Sequence, residues 1–525
     1  MRDVGVISPS PEEFHAQAQH HRVIPLTMTV LADAVTPVGL YQRLAEDRAG
    51  TFLLESAAQG GVWSRYSFIG AASSATLTER NGQAHWQGQP PAGLPTQGTA
   101  LDVLATTLDQ LTSDVRADLG TEVPYLLSGM VGYLGWETVR HWEHLPNPPV
   151  DDLQLPELAM NLMSEVAIHD HVDGTVTLVA NAIDPTGLHH GTDEAYQDAV
   201  SRVRNMAQLI SAPAAEPVSV APAGWQSVDT FERVKHSWDE SEFLATVAEA
   251  QEAIADGEVF QIVVSRRFTT ETQVSGLQVY RALRAMNPSP YMFLYTFDRP
   301  DGSGQFQLVG ASPEALVTVN DGQVVTHPIA GSRPRGTSLD EDHRLAEELL
   351  ADEKERSEHL MLVDLSRNDL SKVCRPGSVQ VGQFMEIERF SHVMHLVSHV
   401  SGTLEPSVSA LDVLAAAFPA GTLSGSPKPR TLQLLDAWEP QARGPYGGVV
   451  GYIDFAGNMD MAIAIRTVLL KDGAAYVQAG AGIVADSVPA AEAAETVAKA
   501  SAPLRALFAA EQLRHYRDDD RDEEQ

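Results

Sequence analysis

The chain has 525 residues, 43% of them hydrophobic, enough for a large core and for more than one ordinary domain. Its 36 Lys and Arg against 70 Asp and Glu leave a net charge of −34, which argues against nucleic acid or an anionic membrane as partner, since both attract basic patches. The single cysteine, Cys374, excludes an intramolecular disulfide and any multi-cysteine zinc site, and no apolar run reaches the ~20 residues needed to span a bilayer.

Residues 1–22 carry acids, prolines and histidines where a signal peptide would have an apolar block, so a loosely held N-terminus and a cytoplasmic protein are expected. Strands are expected at "TFLLES" (51–56), "SRYSFIG" (64–70), "SATLTE" (74–79), "VGYLGW" (131–136) and "VTLVAN" (176–181). The stripe Leu101, Leu104, Leu108 and Leu111 marks a helix between them. An Ala/Pro-rich stretch, 210–228, reads as a linker between a first region, 23–209, and a second, 229–510. The second region opens with a helix, a stop at Gly257 and a strand. Strands follow at 290–297, 305–312, 315–319, 324–331, 447–455, 462–470 and 475–485, with helices at 341–364, 411–417, 428–436 and 489 to about 508. The acidic tail, 511–525, reads as solvated coil. Strands and helices mixed over so long a stretch point to one large α+β body.

Two short texts carry paired acids. "KERSEHLMLVDLSRND" sets Glu355 and Glu358 three apart, and "PAAEAAETVAKA" repeats the spacing with Glu492 and Glu495. Residues three apart share a helix face. One such pair reads most simply as acids suiting a helix N-terminus, with Glu495 and Lys499 an ordinary i,i+4 pair. Two pairs in one cleft would repel unless a cation or proton joined them. Mg²⁺ suits oxygen ligands and commonly takes only one or two protein carboxylates plus water and substrate. "THPIAGSRPRG" and "VQAGAGIVADS" place Gly331, Ser332, Gly480, Ala481 and Gly482 at strand ends; they are either turns or places where a ligand approaches backbone amides. His395, alternating with apolar residues, is structural or an acid–base group, and Glu314, in "GASPEAL", is a turn residue or a second such group. Cys374 has no activating context and reads as buried and inert.

In their order along the chain, "GASPEAL", "PIAGSRPRG", "KERSEHLMLVDLSRNDL", "FPAGTLSGSPKPR", "RGPYGGVVGY", "AIAIRT" and "QAGAGIVADSVPAAEAAET" resemble the chorismate-utilising enzymes, most closely the large (synthase) subunits of anthranilate synthases. The resemblance runs nearly continuously from about residue 231 to 507 and reaches the first region through "LLES" and "RYSFIG". It implies an α+β fold in which two β-sheets pack as a sandwich flanked by helices, with the active site in a cleft. It assigns Mg²⁺ to Glu358 and Glu495, with Glu355 and Glu492 behind them, and carboxylate binding to Gly331 and Ser332. The enolpyruvyl carboxylate falls to Tyr446, Arg466 and Gly480–Ala481–Gly482, and Thr422 and Lys499 line the same cleft. Ammonia would add at ring C2 as the C4 hydroxyl leaves, protonated by Glu314, and His395 would assist the loss of pyruvate. Relatives that add water carry lysine at the position of Gln261, and aminodeoxychorismate synthases carry lysine at that of Ala330, so both positions favour direct attack by ammonia. Ser332 stands where the family usually has threonine, which keeps the hydroxyl and loses a methyl.

The same resemblance places an L-tryptophan feedback site at Glu55, Ser56, Pro290, Tyr291, Met292, Val450 and Tyr452, making 23–209 a regulatory region and 229–510 the catalytic one. With no catalytic cysteine for a glutaminase, the chain is expected to receive ammonia from a separate glutamine amidotransferase subunit in a hetero-oligomer. The readings set against an anthranilate-forming enzyme are an aminodeoxychorismate synthase-like enzyme and a tryptophan-binding regulator that has lost its chemistry.

Overall fold

The structure, a computed structural model, describes residues 4–57, 64–113, 126–212, 219–227, 231–389 and 393–515. Twenty-two strands join in one hydrogen-bonded network whose ladders are antiparallel. One wing runs from Gln261–Glu271 through Ala474–Ile483, Thr467–Lys471, Gln305–Ser312 and Tyr291–Asp298 to Thr51–Glu55. The other runs from Leu158–Asp170 through Gly129–Leu134, Val449–Asp454, Met459–Ile463 and Ala315–Asn320 to Gln323–Thr326 and Val393–Thr403. The long strand Tyr66–Arg80 pairs with both Thr51–Glu55 and Leu158–Asp170, and its register shifts three times between Gly70 and Ala75. Such bulges bend and twist a strand, which folds the network over on itself. An aromatic layer with Phe52, Tyr133, Phe293, Tyr295, Phe297 and Phe306 fills the inside, and helices cover larger apolar clusters on the outer faces.

Strands of 23–209 thus pair directly with strands of 229–510: Leu53 opposes Leu294, and Tyr133 opposes Val450. Close approach inside this network depends on glycine. A Cβ on Gly132 would stand 1.9 Å from the Ala159 carbonyl oxygen, and the next nearest atoms are also backbone, of Ala159 and Met160, not a side chain that could give way. Gly132→Ala is expected to cost at least ~1–3 kcal/mol of stability, read as an earlier midpoint in denaturant unfolding; an unchanged midpoint would mean that the two strands separate freely.

Several elements differ from the sequence expectation, each for a local reason. The leading residues are packed: Ile7–Ser8 pairs with Thr27–Met28, and Pro11–Gln17 is a helix, capped by Ser10 and Glu13, that buries Phe14 against Tyr196. The expected helix 341–364 is two helices, Leu339–Ala351 and Glu353–Ser371. Between them Asp352 leaves the helical conformation (φ −70°, ψ 109°) and accepts hydrogen bonds from the amides of Lys354 and Glu355. The strand expected at 324–331 breaks at His327–Pro328, and that at 462–470 breaks where Arg466 takes φ +52°. The strands expected at 64–70 and 74–79 are one, Tyr66–Arg80, and the pair Gln380–Arg389 and Val393–Thr403 was not expected as such.

The linker is shorter than its composition suggests, because the helix Thr192–Ser211 runs into it and Ser219–Val220 pairs with Arg514–His515; residues 213–218 and 228–230 lie outside the described residues. The tail is likewise tied down at its start, where Glu511 accepts from Arg233 (2.7 Å) and from Thr272; its remainder, from 516, lies outside the described residues. Among the described residues no helix is long and apolar enough to cross a membrane.

Candidate active site

One side of the candidate site is built by the strand Ala474–Ile483 and the loops beside it. Gly480 and Gly482 face side chains that a Cβ would strike: the Tyr446 hydroxyl at 3.0 Å and Gln261 Nε2 at 2.8 Å. Tyr446 is buried, which pushes its phenol up to about 12. Arg466, largely shielded from water, donates through Nη1 to the Lys499 carbonyl (2.6 Å) and lies within electrostatic reach of Tyr446, Glu495 and His395. Ser332 and His395 are register partners on adjacent strands, with a bulge at Gly331, whose φ is +59°. His395 Nδ1 lies 3.0 Å from the Gly331 carbonyl oxygen. A carbonyl can only accept, so Nδ1 carries the hydrogen and Nε2 presents its lone pair. Burial holds this imidazole below its ordinary pKa, with the Arg466 charge adding to the effect.

Two acid-bearing helices converge beside the strand Ala474–Ile483. Glu353–Ser371 carries Glu355 and Glu358; Pro489–Ala510 carries Glu492, Glu495 and Lys499. Arg266 anchors the second helix, donating to Thr496 Oγ1 and to the Ala493 carbonyl, both at 2.7 Å. Burial first, then the charges of Glu355, Glu495 and Glu492, raises the Glu358 carboxyl, while Lys354, 3.8 Å away, opposes them. Glu492 is raised by burial, by the neighbouring Glu495 charge and by a hydrogen bond between the two. Lys499 Nζ bonds Glu495 (2.6 Å) and the Gly480 carbonyl (3.0 Å), tying helix to strand. Arg333 holds Glu355 at 3.5 Å and Asp352 at 2.8 Å. Among the described residues no three His, Cys, Asp or Glu side chains form a closed cation cage. Carboxylates gathered from two helices, with Glu358 and Glu492 raised in part by their acidic neighbours, suit a hard dication that takes its remaining oxygens from water and substrate. Glu358 and Glu495, the more open pair at 30% and 46% side-chain exposure, are the residues that would hold it.

Glu314 sits at the start of a strand beside Thr422, whose hydroxyl donates to Glu314 Oε1 at 3.2 Å. Burial raises its carboxyl to about 8, against the weaker opposing pulls of Thr422 and Lys499. At neutral pH it holds a proton.

The residues expected at a feedback site also gather. Glu55 pairs in register with Met292, and the Ala57 amide donates to the Ser289 carbonyl. Val450 and Tyr452 lie on a strand whose neighbour places Asp460 opposite Tyr452. Glu55 is buried and its carboxylate is already engaged by Arg284 (2.8 and 3.2 Å), Tyr280 (2.6 Å) and Ser67 (3.3 Å). Asp460 hydrogen-bonds Tyr291, and burial raises it to about 6; its Oδ1 is buried with no partner among the described residues. Nothing local in the sequence marks Asp460, Tyr280, Arg284 and Arg266. Asp352 followed by Glu355 was a legible capping signal, but partners more than 200 residues apart, such as Glu55 and Arg284, leave no local pattern.

The family described as chorismate binding enzyme matches residues 50–505. A relative from Arthrobacter globiformis, anthranilate synthase component 1, is 60% identical over 98% of this chain and 95% of its own. The protein of the same description from Mycobacterium tuberculosis is 50% identical over 96% of each chain. Among solved structures, anthranilate synthase component I of Streptococcus pneumoniae superposes with a TM-score of 0.71 at 34% identity, covering 84% of this chain and 92% of that one. The menaquinone-specific isochorismate synthase of Escherichia coli, at 19% identity, covers 95% of this chain and 99% of its own with a TM-score of 0.67, a likeness of fold.

Proposed function

The chain belongs to the chorismate-binding enzymes, and on that premise we propose that it is the synthase component of an anthranilate synthase, forming anthranilate and pyruvate from chorismate and ammonia. The observation that carries the reading is the convergence of acids from two helices, Glu358 with Glu492 and Glu495, beside Arg466 and the Gly480–Gly482 strand, to which Lys499 ties the second helix. Cationic and backbone groups set beside carboxylates suit a dianionic ring compound escorted by a dication. When bound at Glu358 and Glu495, Mg²⁺ would supply Lewis acidity at a substrate carboxylate. Arg466, the Tyr446 hydroxyl and the backbone at Gly480–Gly482 bind the second carboxylate, and Gly331 and Ser332 line the first. Glu314 delivers its proton to the departing C4 hydroxyl, which leaves as water while ammonia bonds to C2. His395 Nε2 offers a lone pair for the proton lost as pyruvate departs and the ring becomes aromatic. Gln261 next to Gly482, and Ala330, put no amine beside the ring, which supports free ammonia as nucleophile.

Ammonia would come from a glutamine amidotransferase partner. L-Tryptophan would bind at Glu55–Ser56, Tyr291–Met292, Val450 and Tyr452. The orphaned Asp460 oxygen suits an amino-acid ammonium there. Inhibition requires that tryptophan favour a less active arrangement of the chain. Ser56→Ala is expected to raise the tryptophan concentration for half-inhibition about tenfold, the worth of one buried hydrogen bond, and to leave turnover near that of the parent; unchanged inhibition would remove Ser56 from the site. The reading as a whole is tested by incubating the purified chain with chorismate, ammonium and Mg²⁺, with and without tryptophan, and identifying the product. Anthranilate supports it, aminodeoxychorismate would move the chain to another branch of the family, and no product would leave a binding protein.

A further inference from the structure

The chemistry above leaves unused the most deeply buried ion pair among the described residues, Glu439 and Arg443, with side chains 4% and 1% exposed. Its position is unusual. The strand Gln261–Glu271 pairs along one edge with the whole of Ala474–Ile483. Along the other edge it is paired only near its ends: Gln261 and Ile262 meet Ser426 and Gly425, while Phe268 and Thr269 meet His236 and Lys235. In the gap between, the Val263 carbonyl and the Ser265 amide would lie buried without partners, and an unpaired buried polar group destabilises the fold. Arg443 Nη2 donates to the Val263 oxygen (2.7 Å), and the Ser265 amide donates to Glu439 Oε1 (2.8 Å). The i,i+4 pair stands in for a missing strand.

What lies across from that gap is the substrate wall: Val263 is the register partner of Gly482, and Ser265 of Gly480. The same guanidinium reaches two further parts of the cleft. Its Nη1 donates to the Leu423 carbonyl (2.7 Å), one residue past Thr422, and its Cζ lies 4.1 Å from the Trp136 ring centroid and 5.8 Å from that of Tyr446. Trp136, from the first region of the chain, also covers Gly447, where a Cβ would come within 2.9 Å of the indole.

We propose that Arg443, held by Glu439 and seated on Trp136, is a positioning residue that sets the Gly480–Gly482 strand, the Tyr446 ring and the Thr422 segment in register with one another. The inference rests on the functional reading above. Arginine suits the task because its planar fork serves Val263, Leu423 and Glu439 at once while its face stacks on an indole; a lysine ammonium keeps the charge but cannot span all of these.

Truncating Arg443 to an apolar residue would strand a buried carboxylate and endanger the fold, so the test uses Arg443→Lys together with Trp136→Leu and Trp136→Phe. With each variant shown folded by circular dichroism, Arg443→Lys is expected to raise KM for chorismate about tenfold and to lower kcat, as misplacement of binding groups does. It should also move the alkaline limb of the pH profile upward, because a slackened Thr422 bond no longer draws down the Glu314 carboxyl. Trp136→Leu should shift the same three quantities in the same direction, and Trp136→Phe, which keeps a ring under the guanidinium, should restore them. A merely structural pair would lower the melting temperature and leave KM and the pH limb of the folded enzyme untouched; that result overturns the proposal. If Arg443→Lys does not fold, the Trp136 pair decides alone. An unsubstituted chain that makes no aromatic acid from chorismate sinks the functional reading, and the positioning role with it, whereas an active parent with indifferent variants sinks only the latter.

Discussion

Glu314→Gln is expected to lower turnover by about 10²–10⁴-fold, the range for removal of a general acid, while leaving the fold intact. Glutamine keeps the shape of the side chain and an acceptor for the Thr422 hydroxyl but has no proton to give. Burial holds the Glu314 carboxyl near 8, so it is protonated at neutral pH and spent only as pH climbs through that value. In the parent enzyme kcat should therefore fall above about 8, and the Gln variant should lose this limb along with its rate. Linkage supplies a control. The native carboxyl binds its proton up to about 8 against an ordinary value of 4.5, so its contribution to stability is whole below the lower figure and is lost as pH rises through the higher. The amide carries no such burden, and above pH 8 the variant should melt no earlier than the parent. Retained turnover with a retained alkaline limb would take Glu314 out of the acid role.

Glu495→Gln should cost about 10³-fold in turnover, corresponding to the several kcal/mol that a polarising dication contributes. Its second readout is independent of chemistry: Mg²⁺ should raise the melting temperature of the parent and not that of the variant. Glu358→Gln should behave alike, because Glu358 faces Glu495 and Glu492 from the other helix and is raised by both. Glu355→Gln should be milder, since Arg333 already holds that carboxylate beside Gly331. Parent-like turnover of Glu495→Gln at limiting Mg²⁺ would show that the second helix does not contribute a ligand.

Much of this is legible in the sequence. The acid pairs at 355/358 and 492/495 are helix-face spacings, and each pair lies on a helix. The stripe at Leu101, Leu104 and Leu108 marks the helix Ala100–Gln110 for the same reason. Boundaries were read less well where one residue's chemistry outweighs the pattern around it: Asp352 capping a new helix, Pro328 interrupting a ladder, Arg466 turning through positive φ. The N-terminus reads as loose because its polar composition hides Phe14, which packs against Tyr196 from far along the chain.

The sequence by itself determined which side chains could do acid–base, cation and carboxylate chemistry, because residue type and helical or strand period are local properties. Only the tertiary structure decided their states and pairings: that Glu314 is buried enough to keep a proton, that Lys499 ties Glu495 to Gly480, that Arg284 and Tyr280 occupy Glu55, and that Glu439 with Arg443 fills a gap in a sheet. Burial, field and hydrogen-bond satisfaction are set by whatever the fold packs alongside a group, and here that is chain from as many as 229 residues away.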